Sequence, residues 1–271
     1  MHRELKSLRK RSRVLKTLLE VVVFEKMESS WSQGMTVASF KWVSFFEHMQ
    51  ELISCQVFDI NSRAILRTFD SHKQPVHVTK FSSLSPTLIL SCSDDTTVKV
   101  WDVPSQTAVA SFTDHTDYVR SGQFSSINPN VILTGSYDST VRLFDTRSGH
   151  SEMVMVADSS SHRTPVEQTL MFSSGTTVVS SAGPILRVWD IVAGGRCTRA
   201  VSNHQKTVTT LALNAKGDRL LTGSLDHMVK VYDISTYQVV HTMRYPAPLL
   251  CLAISVRKSC ILPNDQADFL C

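Results

Sequence analysis

Histidine, a hydroxyl and a carboxylate recur together along this chain, the three groups that hydrolases assemble for nucleophilic catalysis. His72 is followed by Ser91 and Asp95, His115 by Thr134 and Asp138, and His204 by Thr222 and Asp226. A fourth set has His162 and Ser180, with Gly183 where the carboxylate is expected. An active site needs one constellation, not several copies at a fixed interval. The chain has no GxSxG, no GxxxxGK[ST], no HExxH and no GxGxxG after a strand. The groups therefore point to structural hydrogen bonding, and the chain is read as not an enzyme, with no small-molecule substrate and no cofactor.

The elements that position these groups repeat with them. Each set ends in an aromatic-Asp pair: Trp101-Asp102, Phe144-Asp145, Trp189-Asp190 and Tyr232-Asp233. The aromatics lie 43, 45 and 43 residues apart, and the histidines 43, 47 and 42. A period of this length with a Trp-Asp ending is the signature of propeller blades, a binding architecture. Each repeat reads as four short strands. In the second they are Tyr118–Phe124, Val131–Gly135, Thr140–Asp145 and Glu152–Val156, with Val141 and Leu143 on one face and Arg142 and Phe144 on the other. Ser93-Asp94-Asp95-Thr96, Ser136-Tyr137-Asp138-Ser139 and Ser224-Leu225-Asp226-His227 supply tight turns between second and third strands. The predicted fold is all-β: an incomplete propeller of four whole blades over roughly 72–243, with partial blades at both ends. Gln56–Ile60 reads as a third strand, Ala64–Phe69 as a fourth, and Leu249–Ser255 as a first.

Three regions follow: 1–55, 56–255 as the propeller, and 256–271 as an unstructured tail. Residues 1–55 carry 9 Lys/Arg against 6 Asp/Glu, whereas 56–255 carry 17 against 16. The repeat region is thus close to neutral, and bulk charge makes no case for nucleic acid there. In the first region Leu5, Leu8, Leu15, Leu18, Leu19 and Val22 fall near one helical face, between Arg9, Lys10, Arg11, Arg13 and Lys16. This α-helical extension reads as a nuclear or nucleolar targeting patch, an RNA-facing arm, a solvated face or a mitochondrial presequence. Six scattered cysteines without a CxxC pair argue against a zinc site and for a reducing compartment. No run of 18 apolar residues suggests a membrane span.

Strings such as DHTDYV and LTGSYDSTVRLFD resemble the WD40-repeat family. The resemblance implies that His, Ser/Thr, Asp and Trp of one blade form a hydrogen-bonded chain. The turn Asp accepts from the imidazole, and the hydroxyl links imidazole to indole N–H. In this chain that gives His72, Ser91, Asp95 and Trp101 in the first blade, and His204, Thr222, Asp226 and Tyr232 in the fourth. His115, Thr134 and Asp138 in the second lack a donor at Phe144, and His162, Ser180 and Trp189 in the third lack the carboxylate. It also implies a partner-binding rim, here Lys73, Tyr118, Arg120 and Lys206.

The match narrows in the segments between blades. FDINSRAILRTFDSHKQPVHV, SDDTTVKVWDVPS, NHQKTVTTLAL and RLLTGSLDHMVKVYDISTYQVVHTM are similar to the U3 small nucleolar RNA-associated protein 15 family over about 56–255. That resemblance implies a nucleolar scaffold in ribosome biogenesis, within the small-subunit processome. Its partners would be other processome proteins, the U3 particle and pre-ribosomal RNA, in transcription and in processing toward 18S RNA. It further implies a seven-bladed propeller and a helical C-terminal domain. The loss of pattern at Cys55/Gln56 and after Ser255 leads us to expect a shortened product of that family. The alternative is a generic WD40 adaptor, such as a substrate receptor or chromatin module.

Overall fold

A computed structural model describes residues 37–38, 54–59, 65–156, 164–214 and 216–252. Its elements are strands grouped into sheets. The first sheet holds β1 (Val37–Ala38), β2 (Cys55–Asp59) and β3 (Ile65–Phe69). The second holds β4 (Val76–Phe81), β5 (Leu88–Ser93), β6 (Val98–Asp102) and β7 (Thr107–Phe112). The third holds β8 (Val119–Phe124), β9 (Val131–Ser136), β10 (Thr140–Asp145) and β11 (Ser151–Val156). The fourth holds β12 (Val166–Met171), β13 (Thr177–Ala182), β14 (Ile185–Asp190) and β15 (Arg196–Val201). The fifth holds β16 (Val208–Leu213), β17 (Arg219–Ser224), β18 (Met228–Asp233) and β19 (Val239–Arg244). Each sheet is an antiparallel meander in chain order.

The sheets stack face to face, with the first strands β4, β8, β12 and β16 approaching one another in turn. This is a propeller-like arrangement. Its cause lies in the second strands. LILSCS, VILTGS, TVVSSA and RLLTGS are buried at every position after the first. In the first three of these a neighbouring sheet covers each face, and RLLTGS packs on the fourth sheet. Outer strands such as TAVASF and RCTRAV are mostly exposed, since each has a partner strand on one side alone. One apolar cluster joins Leu90, Val98, Val100 and Phe112 of the second sheet to Val119, Ile132 and Phe144 of the third. Others join third to fourth through Leu133, Val141, Val178 and Trp189, and fourth to fifth through Val179, Val188, Leu220 and Tyr232. Cys55, Val57 and Phe69 of the first sheet pack on Ile89 and Trp101 of the second.

Small residues end the second strands because the sheets converge there. A Cβ on Gly135 would lie 2.6 Å from the Thr169 side chain of the fourth sheet. Gly122 of β8 faces the second sheet, where a Cβ would collide with Cys92 Sγ.

The ends differ from the sequence reading. The partial first blade gains a two-residue strand, with Val37 opposite Asp59 and Ala38 opposite Phe58. Apart from Val37–Ala38 and the strand residue Cys55, almost all of the helical extension over 1–55 lies outside the described residues, as does the tail over 256–271. Leu249–Leu252 is not a strand. It is held instead by single bonds: Leu249 N donates to Ser224 O, and Thr209 Oγ1 donates to Leu249 O at 2.7 Å. Desolvation raises the Cys251 thiol pKa, against the Leu252 N–H and the Lys80 ammonium.

Replacing Gly122 by Ala forces a methyl into the Cys92 sulfur. It is expected to lower stability by about 1–3 kcal/mol. The double variant Gly122→Ala/Cys92→Ala should recover part of that loss, measured by urea unfolding of both proteins.

Candidate functional site

The repeated polar groups converge at one end of each four-stranded sheet, where the loop before the first strand meets the hairpin between second and third. In the second sheet Trp101 Nε1 donates to Ser91 Oγ at 2.8 Å, and Ser91 Oγ lies 2.7 Å from His72 Nε2. Asp95 is ionised and accepts only, so the ring proton sits on Nδ1, which donates to Asp95 Oδ2 at 2.9 Å. Nε2 of the neutral ring then accepts the proton of the Ser91 hydroxyl, which itself accepts from Trp101. Asp95 also accepts from Lys73 N and from Thr97 N and Oγ1. Ser91 is fully buried between indole and imidazole, so it has no path to a substrate.

The third sheet repeats the geometry without an indole. His115 reaches Asp138 at 2.7 Å and Thr134 at 2.8 Å, while the Phe144 ring meets the imidazole edge-on at 5.9 Å. In the fifth sheet His204 reaches Asp226 at 2.8 Å and Thr222 at 2.7 Å. The last link differs from the sequence reading. The buried Tyr232 hydroxyl faces Asn203 and Thr222 without hydrogen-bond geometry to either. The phenol extends from its ring in the plane and does not reproduce the position of an indole N–H.

The fourth sheet departs further. Trp189 Nε1 donates to Ser180 Oγ at 2.8 Å, and His162 lies outside the described residues. Gly183 does not stand in for the turn carboxylate. Ala182 pairs with Ile185, so Gly183 and Pro184 form a two-residue loop and the hairpin is one residue shorter. The aromatic follows the hydroxyl by nine residues here and by ten in the second sheet. The Asp is deleted, not replaced. Gly183 takes a φ of +56°, a region that Thr96, Ser139 and His227 enter at greater cost in the other hairpins.

Electrostatics follow from this packing. Burial lowers the His72 and His204 pKa values, and the bonds to Asp95 and Asp226 offset that only in part. Burial would raise Asp95, but donors from Thr97, Lys73 and His72 outweigh it and hold the carboxyl at about 2. Asp138 and Asp226 are lowered too, chiefly through His115 and His204 against the same burial effect. Neutral imidazoles thus sit beside ionised carboxylates.

The rim residues fall in two groups. Lys73 and Lys206 act through their backbones, the N–H donating to Asp95 and the carbonyl accepting from Ser224 Oγ. Tyr118 and Arg120 join a network that the sequence reading missed. The first strand of every four-stranded sheet carries a bulge, at His77, Arg120, Glu167 and Thr209. Arg120 reaches back to the second sheet, 3.1 Å from Asp94 and 3.2 Å from His77 Nδ1. The Tyr118 and Tyr137 rings lie 5.5 and 5.1 Å from its guanidinium. Tyr137 in turn donates to Glu167 of the fourth sheet at 2.9 Å, and burial, then this bond, push its pKa up to about 12. A fixed offset was the available signal, since His77, Arg120 and Thr209 each lie five residues after a repeat histidine.

Stacked four-stranded meanders tied by His–hydroxyl–Asp chains define a WD40-repeat protein. The family model described as WD domain, G-beta repeat matches residues 63–102, 106–145 and 195–233. The chain is 44% identical over 201 residues to U3 small nucleolar RNA-associated protein 15 of Schizosaccharomyces pombe, covering 74% of this chain and 40% of that protein. It is 45% identical over 211 residues to the Xenopus laevis homolog, and 44% identical over 209 residues to that of Gallus gallus. These matches cover 78% and 77% of this chain, and 38% and 39% of those proteins. The chain therefore spans about two-fifths of the length of the curated relatives it matches.

Trp101→Phe removes the donor to Ser91, and a loss of roughly 1 kcal/mol is expected. Tyr232→Phe removes a buried hydroxyl without a bond, so its stability should be unchanged or higher. Urea midpoints of the two variants check this contrast. Acid should act in two steps. Buried neutral His72 and His204 favour folding fully above about pH 6.5, and that contribution falls as pH drops below it. Asp95 contributes fully above about pH 4 and loses its share toward about pH 2. Melting temperature against pH measures both.

Proposed function

We propose that this chain is a non-catalytic scaffold in ribosome biogenesis, acting in assembly of the small-subunit processome in the nucleolus. In this reading it supports transcription of pre-ribosomal RNA and its processing toward 18S RNA. It would meet the U3 particle through other processome proteins. The observation that carries the reading is identity of 44–45% to proteins named for association with U3 small nucleolar RNA, over about three quarters of this chain. The buried, doubly bonded hydroxyl of Ser91 supports a structural use of its histidine and aspartate. The sheet ends would then serve to bind, with Lys73, Tyr118, Arg120 and Lys206 on the partner-facing rim.

The test is purification of the tagged chain from nuclear extract, with U3 RNA measured against an unrelated nuclear RNA. Enrichment of U3 RNA and of processome proteins is expected. A chain that stays diffuse in the cytoplasm and recovers no U3 RNA would mark a WD40 adaptor of another pathway.

A further inference from the structure

The bulged first strands place one continuous polar and aromatic surface across three sheets. A bulge adds one residue to a strand and turns its side chain out of the regular alternation. At Arg120 it directs the guanidinium sideways, over Tyr118 and Tyr137 and onto Asp94 of the preceding sheet. At Glu167 it directs a carboxylate back to the Tyr137 hydroxyl. The tyrosines are thereby fixed at both ends, with ring centres 6.2 Å apart. Asp117 fixes the start of the strand by accepting from Tyr118 N at 2.7 Å. Tyr118 is held in place yet remains 44% exposed.

Charge decides what such a surface fits. Arg120 is spent on Asp94, whereas Asp117 and Glu167 have no cation as a hydrogen-bond or ion-pair partner among the contacts of the described residues. A phosphate backbone would meet this excess of carboxylates unfavourably. A cationic side chain gains twice, from the electron-rich face of Tyr118 and from the carboxylates around it.

We propose that this surface, centred on Tyr118 with Asp117 and Glu167 beside it, docks an arginine-bearing segment of a protein partner. The inference rests on the reading of this end of the sheets as partner-facing. The incoming guanidinium stacks on the exposed Tyr118 ring, and Asp117 and Glu167 receive its N–H donors. Arg120 acts as a positioning residue: it holds the two tyrosines and is not itself the contact.

The probe is a fluorescein-labelled peptide of alternating Arg and Gly, titrated with the full chain and followed by anisotropy. Binding should weaken at least about fivefold in Tyr118→Ala and in the double variant Asp117→Asn/Glu167→Gln. It should persist in Tyr118→Phe, which keeps the ring face, and in Asp102→Asn at the far end of β6. A Lys-Gly peptide should bind more weakly, since an ammonium lacks the planar stack. Equal affinity in wild type and Tyr118→Ala overturns the proposal, as does absence of binding. An oligouridine that binds with the same Tyr118 dependence also overturns it and makes this an RNA surface. Recovery of U3 RNA by the wild-type chain is scored separately. If U3 RNA is recovered while the peptide is ignored, only this inference fails.

Discussion

A four-stranded sheet that is apolar on both faces has no stable existence in water, and this condition governs the rest of the molecule. Leu90, Leu133 and Val179 are each buried in a second strand, where the neighbouring sheets close over both sides. Burial of both faces forces the sheets into a stack, and the stack brings the first strands together around one line. The taper toward that line leaves room only for Ser, Thr, Gly, Ala or Cys at the ends of the second strands. Gly122 against Cys92 shows how little space remains.

The polar chains answer a second problem created by the first. Packing seals the loop before each first strand against the following hairpin, and backbone and side-chain groups there lose water. His72, Ser91, Asp95 and Trp101 restore the lost bonds in a single line from the core to the surface. The line also sets the state of its members, because a neutral ring with its proton on Nδ1 is the form that satisfies both neighbours. Where a member is missing, the local answer changes. Phe144 packs edge-on to His115 in place of an indole donor, and the fourth sheet shortens its hairpin to Gly183-Pro184. The bulges beside these chains turn His77, Arg120 and Glu167 outward, so the device that orders the core also shapes the surface offered to partners.

Much of this was legible in the linear order. The spacing of His72, Ser91, Asp95 and Trp101 is local, within one repeat, and local order carries both the strand pattern and the polar chain. The same is true of the link to U3-associated proteins, which rests on strings between the repeats and not on the repeat itself. Two readings failed where length mattered more than type. Gly183 aligned with an aspartate only while the hairpin was assumed equal in length, and the described part of Leu249–Ser255 looked like a strand because its apolar residues could not show that it has no ladder partner among the described residues.

What the sequence by itself determined is the repeat, the strands of the four-stranded sheets and the His, hydroxyl and Asp members of the chains in the second, third and fifth, because those depend on neighbours within about 30 residues. What only the tertiary structure decided is how one repeat touches the next. Arg120 meets Asp94 and His77 across 26 and 43 residues, and Ser121 meets Thr169 across 48. Tyr137 meets Glu167 across 30. The repeat period brings equivalent strand positions together, as in His77 and Arg120, but it does not say which side chains will bond. These pairs arise because stacked sheets place the same bulge of successive strands side by side, and which charge or ring stands there is settled by the packing of one sheet on another.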